Sequence, residues 1–350
     1  MDSRSTFVSF LRQPSTLAEL QAGDQVFARE EVQPFLAALR QIPSNDQRDA
    51  TLRDLVPLLP EIDSFHAGML ALLCGILVEH GGTVSNPLVD AIMELMVRQL
   101  TQMRDAIRAD EKLNPDERFQ RFPEASRAQA SLPFTLPAVM AMLCRDKEAR
   151  KAWQRRQDVI QLVGELEDAN QVPFFLKRTL TLLDDKKLLV VDQQNRRAFL
   201  AHLVGVQDNM FHCFALLQHA LLEYAGPGYL DARPTNPLAV RYAQNNNLTQ
   251  QDYIDAQNII EERRFVFHYP GGLWVPGDAS FSELPVFRGL PFLLIANKDT
   301  VSAPQTIWDP TNWYPVLHQE LEASIDIVRE LRGEEAELWT ALASLTKETQ

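Results

Sequence analysis

Apolar residues change rhythm midway along the chain. Up to about residue 180 they recur at three- and four-residue spacing; beyond Asp184 short continuous or alternating runs appear. The clearest helix opens at Asn86-Pro87. Leu88, Ile92, Leu95, Met96, Leu100, Met103 and Ile107 form one stripe, while Glu94, Arg98, Gln102 and Asp105 take other faces. Before it, Asp63-Ser64 offers a cap for a helix to His80 that is apolar all round (Met69, Leu70, Leu72, Leu73, Ile76, Leu77). Such a helix belongs inside a core, and Gly81-Gly82 ends it.

The pattern predicts a first helix over Leu17 to Leu39, after Pro14-Ser15-Thr16, and a second from Asp46 to Leu58, stopped by Pro60. Polar residues from Asp110 to Ser131, with Asn114-Pro115 and Phe122-Pro123, predict a connection holding one short helix. Helical spacing resumes from Leu136 to about Glu167, through Ala149, Ala152, Trp153, Ile160 and Val163, and again from Val172 to Leu183. Successive helices of this kind make an irregular helical bundle or a HEAT-like helical array. No clean internal repeat favours the array.

In the second half, Lys187–Val191 and Arg197–Val206 flank the polar turn Asp192–Asn195 and read as a β-hairpin. Gln207-Asp208-Asn209 caps a helix through Glu223, ended by Gly226-Pro227-Gly228. Thr249 caps another, to about Glu262. Further strands are expected at Arg264–His268, Phe292–Ala296 and Ala323–Val328, with Pro291 at a strand start or edge. A last helix follows Gly333, with Leu338, Trp339, Leu342 and Leu345. Strict βαβ alternation is missing, so the expected class is α+β: an all-helical domain over 1–175, then an α+β domain over 176–350 with a small, mostly antiparallel sheet. The junction falls between Asn170 and Asp185 without a flexible linker.

Composition narrows the function classes. The 350 residues are 45% hydrophobic and 23% charged, which suits a folded chain. With 34 basic against 47 acidic residues the net charge is −13, which argues against nucleic-acid and anionic-membrane binding. One basic ridge stands out: Lys147, Lys151 and Arg155 at i, i+4, i+8, with Arg145, Arg150 and Arg156 nearby. A solvated helix face explains it as well as an acidic partner does. Cys74, Cys144 and Cys213 lie far apart in apolar contexts, as reduced thiols do in the cytoplasm. The longest apolar run, Ala67–Val78, is too short for a membrane span, and no signal-peptide stretch opens the chain. A Leu-rich helical half joined to an α+β half is common among bacterial proteins and implies no activity.

Motifs of known chemistry are missing. There is no Walker loop, G-x-G-x-x-G or G-x-S-x-G. Asn297-Lys298-Asp299 is one residue short of the guanine-reading loop of GTPases, and Ser344–Lys347 lacks the companions of an S-x-x-K site. His212, His219 and Glu223 share a helix face; His219 and Glu223, one turn apart, could meet one ion, but His212 lies two turns from His219, roughly 10.5 Å away, and cannot join it. The polar edge of an amphipathic helix is the stronger reading of the three, so no metal and no cofactor is expected. Asp208-Asn209…His212 is the most site-like cluster: Asp208 placed to orient His212 as a general base, against simple helix capping. Finally, the fifty residues from Phe265 to Tyr314 hold ten aromatics among interleaved prolines. They fill a small loop core or form a recognition surface, in which Trp274, Trp308, Trp313 and Tyr314 are the exposed members.

The leading expectation is a non-enzymatic interaction protein (scaffold, inhibitor or immunity-like) that docks on another protein through the Trp/Pro-rich loops. The alternative is an enzyme with its polar site at Asp208, Asn209 and His212. A small-molecule ligand stays open, and a nucleic-acid partner for the Lys147 ridge is opposed by the net charge.

Overall fold

A helix without a polar side is stable only if other elements cover it all round, and Ser64–Glu79 is such a helix. A computed structural model describes residues 2–109, 113–259, 261–262, 265–269, 272–273, 280–297, 307–308, 317–331, 335 and 338. The chain is α+β and divides into two compact units, residues 1–180 and 181–350. The first holds α1 (Ser3–Leu11), α2 (Leu17–Ala22), α3 (Gln33–Arg40), α4 (Asn45–Leu55), α5 (Ser64–Glu79) and α6 (Asn86–Ala109). It continues through α7 (Pro115–Arg121), α8 (Pro123–Leu143), α9 (Lys147–Gln154), α10 (Gln157–Leu166) and α11 (Gln171–Leu180).

Helix α5 is covered mainly by α8. Their backbones meet at small residues. A Cβ added to Gly75 would lie 2.8 Å from the Cα of Ala138, and one added to Gly68 would lie 2.6 Å from the Cβ of Ser131. Both pairs are seven residues apart on their own helix, so two turns of each stay in contact. Helix α6 also packs on α8, burying Leu88, Ile92, Leu95, Met96, Leu100 and Met103 as their stripe predicts.

One side chain ties the start of α5 to the rest. Asp63 accepts from the backbone N–H of Phe65 (2.9 Å) and His66 (3.1 Å), and from the N–H (2.7 Å) and hydroxyl (3.1 Å) of buried Ser15. Arg127 on α8 donates to the Ser15 carbonyl at 2.9 Å. Burial alone raises the Asp63 carboxyl, but the His66 side chain and these N–H donors outweigh it and hold the carboxyl down at about 2.

Three helix expectations need correction. Leu17–Leu39 is not one helix: Gly23, at φ +58, ends α2, and a 3-10 turn over Gly23–Ala28 precedes α3, which Pro34 helps to start. The expected connection over Asp110–Ser131 holds α7 as its one short helix, but from Pro123 onward it belongs to α8, because Pro123 begins that helix rather than breaking it. Pro133 and Pro137 then sit inside α8; burial of residues such as Leu132, Phe134 and Ala138 offsets the lost hydrogen bonds. Leu136–Glu167 likewise splits into three helices, one restarted by Asp146, which accepts from Ala149 N–H at 2.9 Å. Helix α1 was not anticipated; it buries Phe7 and stacks it on Phe35, with ring centroids 4.4 Å apart.

The second unit opens with β1 (Lys186–Asp192) and β2 (Arg197–Val204), the expected hairpin. Then come α12 (Met210–Ala225), α13 (Pro237–Gln244), α14 (Gln250–Ala256), β3 (Glu261–Glu262), β4 (Phe265–Tyr269) and β5 (Gly272–Leu273). The last described strands are β6 (Val286–Phe287), β7 (Leu290–Asn297), β8 (Ile307–Trp308) and β9 (Ser324–Leu331). The sheet order is β5-β4-β7-β1-β2-β9, with β6 also on β7 and β3 pairing β8 separately. Only β1 with β7 is parallel among these pairings, so the sheet is mostly antiparallel. Strand β1 is central and buried on both faces. Leu188 and Val190 join the core that includes Phe214 and Leu217 of α12; Leu189 and Val191 join Phe292 and Leu294. That is why its sequence is continuously apolar. Helix α13 was not anticipated, and α14 stops at Ala256, short of Glu262. The expected last helix after Gly333 lies almost wholly outside the described residues.

Two outcomes follow. Gly75→Ala lowers stability by about 1–2 kcal/mol in urea unfolding, because overpacking costs about 1–3 kcal/mol against a helix-propensity gain of up to about 1. A depressed carboxyl stabilises the fold above its unfolded-state pKa of about 3.9 and loses that contribution as pH falls towards 2. Asp63→Ala therefore costs about 2–4 kcal/mol at pH 6, and its gap to the native protein narrows by about 2 kcal/mol between pH 4 and pH 2. A gap independent of pH contradicts the assignment.

Candidate functional site

Asn209 opens α12 as its N-cap, accepting from the His212 N–H at 3.0 Å. The neighbouring Asp208 turns elsewhere. Its Oδ1 accepts from Phe281 N–H at 2.5 Å and so caps the 3-10 turn Phe281–Glu283. Burial pushes the Asp208 carboxyl up, and the N–H groups of Phe281 and Ser282 offset part of the rise. His212 is buried, with both ring nitrogens engaged. Gln207 N–H donates to Nδ1 at 2.9 Å, so the proton sits on Nε2, which donates to the Ala243 carbonyl at 2.7 Å. The imidazole is a brace between the loop before α12 and the end of α13. Asp208 does not orient it.

Trp274, Trp313 and Tyr314 lie outside the described residues, and Trp308 is described only by its backbone, which pairs with Glu261. Of the same aromatic segment, Phe265, Phe267, Phe281 and Phe292 are buried core. Part of the basic ridge is neutralised within its own unit. Arg145 pairs with Glu79, Lys151 with Glu148 at 3.3 Å, and Arg156 with Asp158 at 2.8 Å and Glu94 at 3.2 Å. Arg150 is buried against the Leu143 carbonyl at 2.5 Å. Lys147 starts α9, and Arg155 is exposed just past its end.

All three cysteines are buried and free. Burial pushes the Cys74 thiol up to about 12 and raises that of Cys213, so neither is a nucleophile at neutral pH. Among the described residues no group of three or more His, Cys, Asp or Glu side chains can hold a metal. His219 and Glu223 instead border an open cavity of about 630 Å³ edged by Pro227, Pro234 and Pro237. Burial lowers the His219 pKa, only partly countered by Glu223, and the Thr235 hydroxyl lies 3.3 Å from its Nδ1. No helix among the described residues is long and apolar enough to cross a membrane.

In the first unit an apolar groove of about 300 Å³ opens along α5. Its floor is Leu72, Leu73, Ile76 and Leu77, which lie one helical turn apart on one side of α5. Leu36 and Leu39 of α3 form one wall, and Phe27 of the preceding 3-10 turn closes an end. Ile76 is 39% exposed, although α5 is otherwise almost wholly buried. The polar lining is basic: Arg40, Arg48 and His80, with no carboxylate among the groove's described residues. Arg48 is fixed by the Asn45 side chain (2.8 Å) and the Ile42 carbonyl (2.9 Å), and His80 Nδ1 donates to the Ile76 carbonyl at 2.8 Å. The lining offers apolar contact and cationic hydrogen-bond donors, with no nucleophile beside them.

The groove was missed because an all-apolar helix does not show in sequence which side is left open. The only signal, basic residues at the ends of α3 and α5, is equally the signal of an ordinary helix terminus.

The bracing role of His212 is testable. His212→Leu strands a buried N–H and a buried carbonyl, each costing about 1–3 kcal/mol, so urea unfolding should show a loss of about 2–5 kcal/mol. An undiminished midpoint contradicts it. No family model, curated protein or solved structure matches this chain.

Proposed function

We propose that this is a non-enzymatic binding protein whose recognition surface is the groove along α5, in place of the Trp/Pro-rich loops. The observation that carries this is Ile76: a large aliphatic side chain exposed in the floor of a groove, on the most apolar helix of the unit. Covering such a side chain completely is worth about 1.5–3 kcal/mol, and the groove residues are already partly covered. Apolar contact therefore favours binding but does not alone reach micromolar affinity, which needs about 8 kcal/mol. An enzymatic role at Asp208 and His212 has less support, since each is already committed to the backbone of its own unit. Three free, buried thiols suit a reducing compartment such as the cytoplasm.

A neutral apolar fluorophore, N-phenyl-1-naphthylamine, tests the groove. The native protein should give a saturable fluorescence increase, and Ile76→Glu should weaken binding at least tenfold with an unchanged circular dichroism spectrum. Equal binding by both proteins places the dye elsewhere and overturns the proposal.

A further inference from the structure

The groove's chemistry is not uniformly apolar, and its charge runs against that of the protein. On a chain of net charge −13, the three ionisable side chains that line it are all basic or imidazole. Helix ends explain part of this: Arg40 closes α3 and His80 follows α5, where the carbonyl ends favour cations. They do not explain Arg48, which lies in the first turn of α4, where the dipole disfavours a cation. Arg40, like Arg53 and Arg155 in the same unit, is exposed with no side-chain hydrogen bond or ion pair to any described residue, and of these three it is the one that lines the groove.

Resting on the groove as a binding surface, we infer that its occupant is a free medium-chain carboxylate: an apolar chain lying on Leu72 and Ile76, with its anionic head on the guanidinium of Arg40. Arg48, already fixed by two hydrogen bonds, adds a second positive charge to the same lining. The size agrees. At about 30 Å³ per small group, the volume share of one liquid water, a groove of about 300 Å³ seats about ten heavy atoms, the greater part of a ten-carbon carboxylate. A planar guanidinium meets a carboxylate with two parallel N–H···O bonds, which a lysine cannot reproduce.

The sign of one preference decides the question. A carboxylate is more strongly hydrated than an alcohol, so a purely apolar groove prefers decan-1-ol to decanoate; only a cation at the head position reverses the order. In displacement of N-phenyl-1-naphthylamine, below the micellar range, decanoate should act at a concentration at least tenfold lower than decan-1-ol. Arg40→Gln should abolish that advantage and leave decan-1-ol unchanged; Arg40→Lys should restore part of it. If decan-1-ol displaces the dye as well as decanoate does, or Arg40→Gln leaves decanoate unaffected, the carboxylate assignment is wrong while the groove stands. If neither displaces the dye and Ile76→Glu has no effect, the groove itself fails. Binding to phosphatidylglycerol vesicles that decanoate does not compete away assigns the surface to a membrane and likewise overturns the inference.

Discussion

The close approach of α5 and α8 is the constraint on which the helical unit rests. Gly68 and Gly75 leave no side chain between the backbones, and Ser131 and Ala138 fill the space a Cβ would need. Residues this small bury little area themselves. Their effect is to bring the larger side chains around them, such as Leu132, Val139 and Met142, into the same core. Internal packing at crystal-like density tolerates little change in such a spacing. The two prolines inside α8 are consistent with this. A helix that had to stand on its own hydrogen bonds would break there; one pressed against α5 along several turns persists.

The groove follows from the same geometry. With α8 packed on one side of α5, another side lines the groove together with Phe27, Leu36 and Leu39, and Ile76 is left exposed there. The open face and the tight face are two consequences of one all-apolar helix with unequal neighbours.

The second unit uses its polar groups differently. Asp192, fully buried at the end of β1, accepts from Asn195 N–H at 3.0 Å and from the Tyr229 hydroxyl at 2.7 Å, tying the hairpin turn to the 3-10 turn Tyr229–Asp231. Arg197 forks onto Glu330 at 2.8 and 3.3 Å and stacks over Phe199 and Tyr229. His212 braces α12 to α13. Each is a polar group whose desolvation is offset by defined partners. A carboxylate or imidazole that looks like chemistry in the sequence is here a tie between elements.

Local rules carried the element types well where burial follows a fixed period. The stripe of α6, the caps at Asp63, Asn209 and Thr249, and the hairpin around Asp192–Asn195 all depend on residues within a few positions of one another. They failed where a proline has two meanings. Pro123 starts a helix and Pro133 survives within one, and only the packing partner distinguishes those uses from a break. Helix α1 was invisible because its helical state is stabilised by Phe7 stacking on Phe35, far along the chain. The sequence alone determined the change from helical to mixed architecture and the apolar character of α5, since both are periodicities of a single segment. Which side of α5 lies open, where Asp208 turns, and that His212 is enclosed were decided only by tertiary structure, because each depends on a surface supplied by residues distant in the chain.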